Sequence, residues 1–201
     1  KKVFGEDWLV GNTYHTSIGQ YGFQLTALEL VRGVAAIANG GHLVTPHVLK
    51  GLETSSTTLD LPQKDVRVIQ EGMYRVVHGA NGTGKPLDIG GIKIAAKSGT
   101  AELGVSKEQV NSLTTGYFPY ENPKYAFVVV MEKANRHNSF GAAHAMKDTL
   151  RYIRDETDYL DGKGKKEKQV IKNKSKNEDL ATTTDISTSS TSVEIVPGEG
   201  R

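Results

Sequence analysis

The chain has 201 residues, of which 37% are hydrophobic and 7% aromatic, and a formal net charge of +2. That length suits one domain with a tail, and so small a charge gives no case for a nucleic-acid partner or an anionic membrane surface. The absence of cysteine excludes disulfides, thiol catalysis and cysteine-zinc sites.

No apolar run reaches the ~18 residues needed to span a bilayer. Lys1-Lys2-Val3-Phe4-Gly5-Glu6-Asp7 turns acidic where a signal peptide would turn apolar, and the first residue is not Met, so a piece of a longer protein is expected. Residues 1–23 are rich in turn formers and predict an irregular, ordered segment in which Trp8, Tyr14, Tyr21 and Phe23 find packing. Thr26 with Glu29 forms a capping box. Leu30, Val31, Val34, Ala35, Ile37 and Ala38 then predict a largely buried helix, closely packed at Gly33 and stopped by Asn39-Gly40-Gly41. Residues 42–62 read as Pro46, a short apolar stretch at Val48-Leu49 and a polar loop from Glu53 to Thr58. A second helix fits Lys64 to His78, with Asp65 as N-cap and Val66, Ile69, Met73, Val76 and Val77 inward. It ends in a surface loop, Gly79 to Pro86.

Three strands are predicted next, at Ile92–Lys97, Ser112–Phe118 and Tyr125–Glu132, joined by connections short enough for antiparallel neighbours. The third is apolar throughout Ala126–Met131 and so should be central or covered on both faces. A helix from Ala142 to Glu156 follows, with Ala145, Met146, Thr149, Leu150 and Ile153 on one side. The whole predicts an α+β fold over residues 1–160. Residues 161–176 carry seven Lys against one Asp and one Glu, and residues 177–201 a Thr/Ser run without aromatics. Residues 161–201 therefore predict a disordered tail.

Two patterns point away from the chemistry they mimic. Gly79-Ala80-Asn81-Gly82-Thr83-Gly84-Lys85 matches a phosphate-binding loop except at its last position. Pro86 stands where Ser or Thr would hold magnesium, and no helix follows to face the phosphates. The six His residues lack the spacing and the acidic partners of a metal site.

The chemistry-bearing stretch is Ile92-Lys93-Ile94-Ala95-Ala96-Lys97-Ser98-Gly99-Thr100-Ala101-Glu102. A strand ends in an ammonium, two hydroxyls and a residue without a side chain, which equips it to hold a carboxylate against a strand edge. The same four residues also suit a strand that simply runs into a polar turn.

Four stretches in order resemble the C-terminal half of the transpeptidase domain of a class B, elongation-type penicillin-binding protein. They are Gly11–Gln20 with Leu25–Leu30, Ala35–Gly41, Lys97-Ser98-Gly99-Thr100-Ala101-Glu102, and Thr115-Gly116-Tyr117-Phe118-Pro119 with Tyr125–Glu132. The resemblance covers about residues 8–156 and implies a partial penicillin-binding/β-lactamase-like fold. In that fold the last three strands of an antiparallel sheet are packed by helices. It implies acyl transfer in peptidoglycan cross-linking, with D-Ala-D-Ala stem peptides as substrate, β-lactams as inhibitors, and no cofactor or metal. It makes Lys97, Ser98 and Thr100 catalytic and sets Lys97, Ser98, Gly99, Thr100 and Ala101 against the substrate. Lys97 would supply positive potential, the Ser98 and Thr100 hydroxyls would bind the carboxylate, and the Thr100 N–H would serve an oxyanion hole.

The family's Ser-x-x-Lys nucleophile motif is absent from the 201 residues, and its Ser-x-Asn form occurs only at Ser175-Lys176-Asn177, in the tail. The resemblance thus implies a fragment, or one chain of a divided enzyme, inactive alone and partnered by the upstream half of its domain. Its expected location is the extracytoplasmic face of the bacterial membrane. A non-catalytic cell-wall-peptide-binding relative and the β-lactamase or β-lactam-sensor branch stay open as alternatives. One geometric tension is visible: a flat strand sends Lys97 and Ser98 to opposite faces, so both can serve one site only at a twisted sheet edge, which Gly99 would permit.

Overall fold

The computed structural model describes residues 5, 7–20, 24–104, 106–161 and 164–165. Helix α1, Val10–Ser17, replaces the irregular segment predicted there. None of its residues is buried, and Trp8 and Tyr14 are exposed rather than packed. Local bonds close its turns: Trp8 Nε1–H donates to Thr13 Oγ1 at 2.8 Å and the Ser17 hydroxyl to the Tyr14 carbonyl at 2.7 Å. Tyr21 and Phe23 lie outside the described residues.

Helix α2, Ala27–Ala38, starts at the predicted capping box. Glu29 N–H donates to Thr26 Oγ1 at 3.2 Å. In return Glu29 Oε2 accepts from the Thr26 N–H at 2.8 Å and the Thr26 hydroxyl at 2.9 Å, and these two bonds hold the carboxyl below its usual range. Only Val34 and Ala36 are fully buried, so the helix is less enclosed than its composition predicts. Gly33 is exposed and a Cβ there would meet nothing within 4 Å, so the close packing expected at that glycine is not found. The helix stops as predicted, with Asn39 as C-cap and Gly40 and Gly41 at φ of 81° and 107°. The Asn39 side chain then holds both backbone groups of His42. This starts a hairpin that the sequence did not announce, β1 (His42–Val44) antiparallel to β2 (Ser56–Thr58).

Helix α3 runs over Gln63–His78 and buries Val66, Met73 and Val77, whereas Ile69 faces solvent. Its N-cap is Pro62 rather than Asp65. The Pro62 carbonyl accepts from the N–H groups of Asp65 and Val66, which leaves Asp65 in the first turn, where its charge suits the helix dipole.

Strands β3 (Ala95–Leu103), β4 (Gln109–Phe118) and β5 (Tyr125–Asn135) form an antiparallel sheet in the order β3-β4-β5. β4 is central. β5 lies at the edge, though α2 packs on it from one side and α4 (Ala142–Glu156) also touches it. β3 begins three residues later than predicted because the groups before it bond elsewhere. Ile94 N–H donates to His78 Nε2 and the Lys93 carbonyl accepts from Tyr120 N–H. A short β6, Thr157–Asp158, pairs with β7, Gly164–Lys165. The remainder of the expected tail lies outside the described residues.

The main core joins Val77, Leu87, Ile94, Ala96, Phe118 and Leu150 between α3, the sheet and α4. Within α4, Ala142, Met146 and Leu150 are buried and Thr149 is exposed, a rotation of the predicted face toward residues spaced by four. Leu150→Ala is expected to cost about 3 kcal/mol, because the fully buried site cannot collapse around the lost methyls. A lowered thermal midpoint would register it, and an unchanged one would show that α4 does not anchor the sheet.

Candidate active site

Lys97-Ser98-Gly99-Thr100 lies inside the edge strand β3, registered against Thr115, Thr114, Leu113 and Ser112 of β4. The strand continues through these polar residues because each still has a partner across the ladder. Alternation puts Ser98, Thr100 and Glu102 on one face and Lys97, Gly99 and Ala101 on the other. The expected tension between Lys97 and Ser98 meets a strand edge: the Lys97 ammonium folds back and donates to the Ser98 carbonyl at 2.5 Å. Gly99 sits in regular strand backbone. A Cβ there would lie 3.6 Å from Leu113 Cβ, an ordinary contact, so Gly99 marks neither strain nor close approach.

Ser98, Gly99 and Thr100 line a cavity of about 530 Å³. The segment between β5 and α4, including Phe140, forms another wall. The position of α4 is fixed by Ala142 N–H, which donates to Ser112 Oγ at 3.0 Å, and by Gly141, where a Cβ would lie 2.9 Å from that oxygen. At the cavity's rim the Glu102 carboxylate meets Lys107 at 3.0 Å and Arg136 at 3.2 Å, and these cations, Lys107 first, hold its pKa below the usual range. Ala101 instead lines a cavity of about 730 Å³ on the opposite face, with Leu25, Leu30, Leu113 and Val130. Sequence reasoning missed Thr83, whose Oγ1 lies 2.7 Å from Ser98 Oγ and which also lines the first cavity. Its only signal was its place between two glycines.

Among the described residues no group of three His, Asp or Glu side chains could hold a metal, and no helix is long and apolar enough to cross a membrane.

Residues 2–151 match the family model of the penicillin binding protein transpeptidase domain. The chain belongs to this family. Among its relatives, the Haemophilus influenzae peptidoglycan D,D-transpeptidase MrdA is 30% identical over 172 residues, covering 73% of this chain and 26% of that protein. The fold agrees with solved members. The penicillin-binding protein PBP2 of Helicobacter pylori superposes with a TM-score of 0.64 at 31% identity, over 81% of this chain and 29% of the other. Pseudomonas aeruginosa PBP2, in complex with WCK 5153, gives 0.65 at 27%, over 83% and 38%. The chain therefore spans about a quarter of the length of the curated relatives it matches. The α+β arrangement is part of a class B penicillin-binding-protein transpeptidase domain, as the four ordered motifs implied.

Proposed function

We propose that this chain forms one wall of the active site of a serine D,D-transpeptidase that cross-links peptidoglycan. The observation that carries the reading is the edge strand β3, where the Ser98 and Thr100 side chains border a 530 Å³ cavity and the Lys97 ammonium turns back along the edge. The nucleophile is a serine of a Ser-x-x-Lys motif in the upstream half of the domain. It attacks the D-Ala-D-Ala amide of a stem peptide, the terminal D-Ala leaves, and the amine of a neighbouring strand resolves the acyl-enzyme. Lys97 contributes positive potential. The Ser98 and Thr100 hydroxyls donate to the terminal carboxylate, a charge-assisted contact. The Thr100 N–H stabilises the oxyanion, while Gly99 lines the cavity beside it without bulk. β-Lactams acylate the same serine, and the whole protein works at the extracytoplasmic face of the cell membrane.

The test is acylation by labelled penicillin of a protein extended upstream to its Ser-x-x-Lys. Stoichiometric labelling is expected, and Lys97→Ala should slow it by about a hundredfold, the scale of losing one preorganised electrostatic group. An unlabelled wild type, or a Lys97→Ala variant that reacts at the wild-type rate, would overturn the reading.

A further inference from the structure

The stretch Gly79-Ala80-Asn81-Gly82-Thr83-Gly84-Lys85 resembles a phosphate loop, yet its glycines serve another purpose. A Cβ on Gly82 would lie 2.2 Å from the Val76 carbonyl oxygen, and one on Gly84 3.2 Å from the same atom. Both positions are pressed against the last turn of α3, where Gly84 N–H donates to that Val76 oxygen at 2.8 Å. On the far side Leu87 N–H donates to the Gly84 carbonyl at 2.9 Å, closing a 3-10 turn over Lys85–Leu87, and the Leu87 side chain is fully buried in the main core. The loop is thus fixed at the helix end and at the core. Between the two crowded glycines stands Thr83, its hydroxyl 2.7 Å from that of Ser98.

We infer that Thr83 is a positioning residue for Ser98: its hydroxyl donates to Ser98 Oγ, so that the Ser98 proton is aimed at the carboxylate of the bound substrate. The inference rests on the transpeptidase reading above. A hydroxyl has one proton to donate and two lone pairs. A Ser98 that spent its proton on Thr83 would present only lone pairs to an anion and repel it. A carboxylate in the cavity therefore selects the opposite arrangement, in which Thr83 donates to Ser98 and Ser98 to the anion, and each bond polarises the next. The glycines, pressed against the end of α3, hold Thr83 within hydrogen-bond distance of Ser98 Oγ.

The experiment is a double-mutant cycle in the extended, penicillin-reactive protein, read as the second-order rate constant of acylation by benzylpenicillin. Thr83→Val is expected to slow acylation about tenfold, the usual scale for a hydrogen bond that serves a charged group. Thr83→Ser should return the rate to within about twofold, because it keeps the hydroxyl. In a Ser98→Ala background Thr83→Val should change the rate less than about twofold, since its route of action is gone. A wild-type rate in Thr83→Val, no rescue by Thr83→Ser, or an equal loss in both backgrounds would each overturn the inference, the last by showing that Thr83 only shapes the loop. A wild type inert to benzylpenicillin would overturn the transpeptidase reading itself, a different outcome from any of these.

Discussion

Replacing Gly116 by Ala is expected to destabilise the protein by about 3 kcal/mol or more, at the upper end of overpacking costs. Gly116 lies two residues from the end of the central strand β4, opposite Ala96 on one side and Phe127 on the other. A Cβ there would fall 2.3 Å from the Ala95 carbonyl oxygen and 2.9 Å from both Ala96 Cα and Phe127 Cζ. Two of these atoms are backbone within a paired strand and cannot move without breaking the ladder that carries Lys97 and Ser98. Gly99→Ala, three residues further along β3, supplies the contrast, because its Cβ would make only an ordinary contact. The thermal midpoint should fall by roughly 6 °C or more for Gly116→Ala and by under about 2 °C for Gly99→Ala. Equal shifts would mean that the close approach around Gly116 does not limit stability.

These two glycines also mark where sequence reasoning succeeds and where it stops. The capping box at Thr26 and the helix over Ala142–Glu156 were legible because their signals are local: a hydrogen-bonding pair three residues apart, and an apolar period of about four. The three strands and the Lys97–Thr100 motif were legible from β-branched runs and residue chemistry. Helix α1 was not, since it buries nothing and has no apolar period to read. The β1–β2 hairpin was missed because Ser56–Thr58 is short and exposed along its length, so no alternation betrays it. The apolar run of β5 pointed to a central or fully covered strand, but β5 lies at the sheet edge with Phe127 buried and Val130 exposed, because an apolar run does not report which strands pair. Asp65 was misplaced by one turn, since Pro62 set the start with its own carbonyl. Thr83 was invisible for a different reason. Its meeting with Ser98 spans fifteen residues and depends on how a loop folds back on α3.

Incubated with labelled penicillin, the 201-residue chain alone is expected to remain unmodified, although it carries the Lys-Ser-Gly-Thr strand. Acylation needs a serine with a base beside it, and no Ser-x-x-Lys occurs in the sequence to provide the pair. Ser98 is the hydroxyl of this strand with an ammonium next to it in sequence, and the geometry denies it that help. The Lys97 side chain leaves the opposite face of the strand, and its ammonium donates to the Ser98 carbonyl oxygen rather than facing Ser98 Oγ. The Oγ instead meets the Thr83 hydroxyl, which can donate or accept a proton but is far too weak a base to activate a nucleophile at neutral pH. Thr100, on the same face, adds a third hydroxyl and still no base. Intact-mass measurement after exposure to a β-lactam is the direct check, and extension of the chain upstream to its Ser-x-x-Lys should turn a blank spectrum into a stoichiometric adduct. A stoichiometric adduct on any serine among residues 1–160 of the chain alone would remove Lys97, Ser98 and Thr100 from the supporting wall and put the nucleophile within the chain itself.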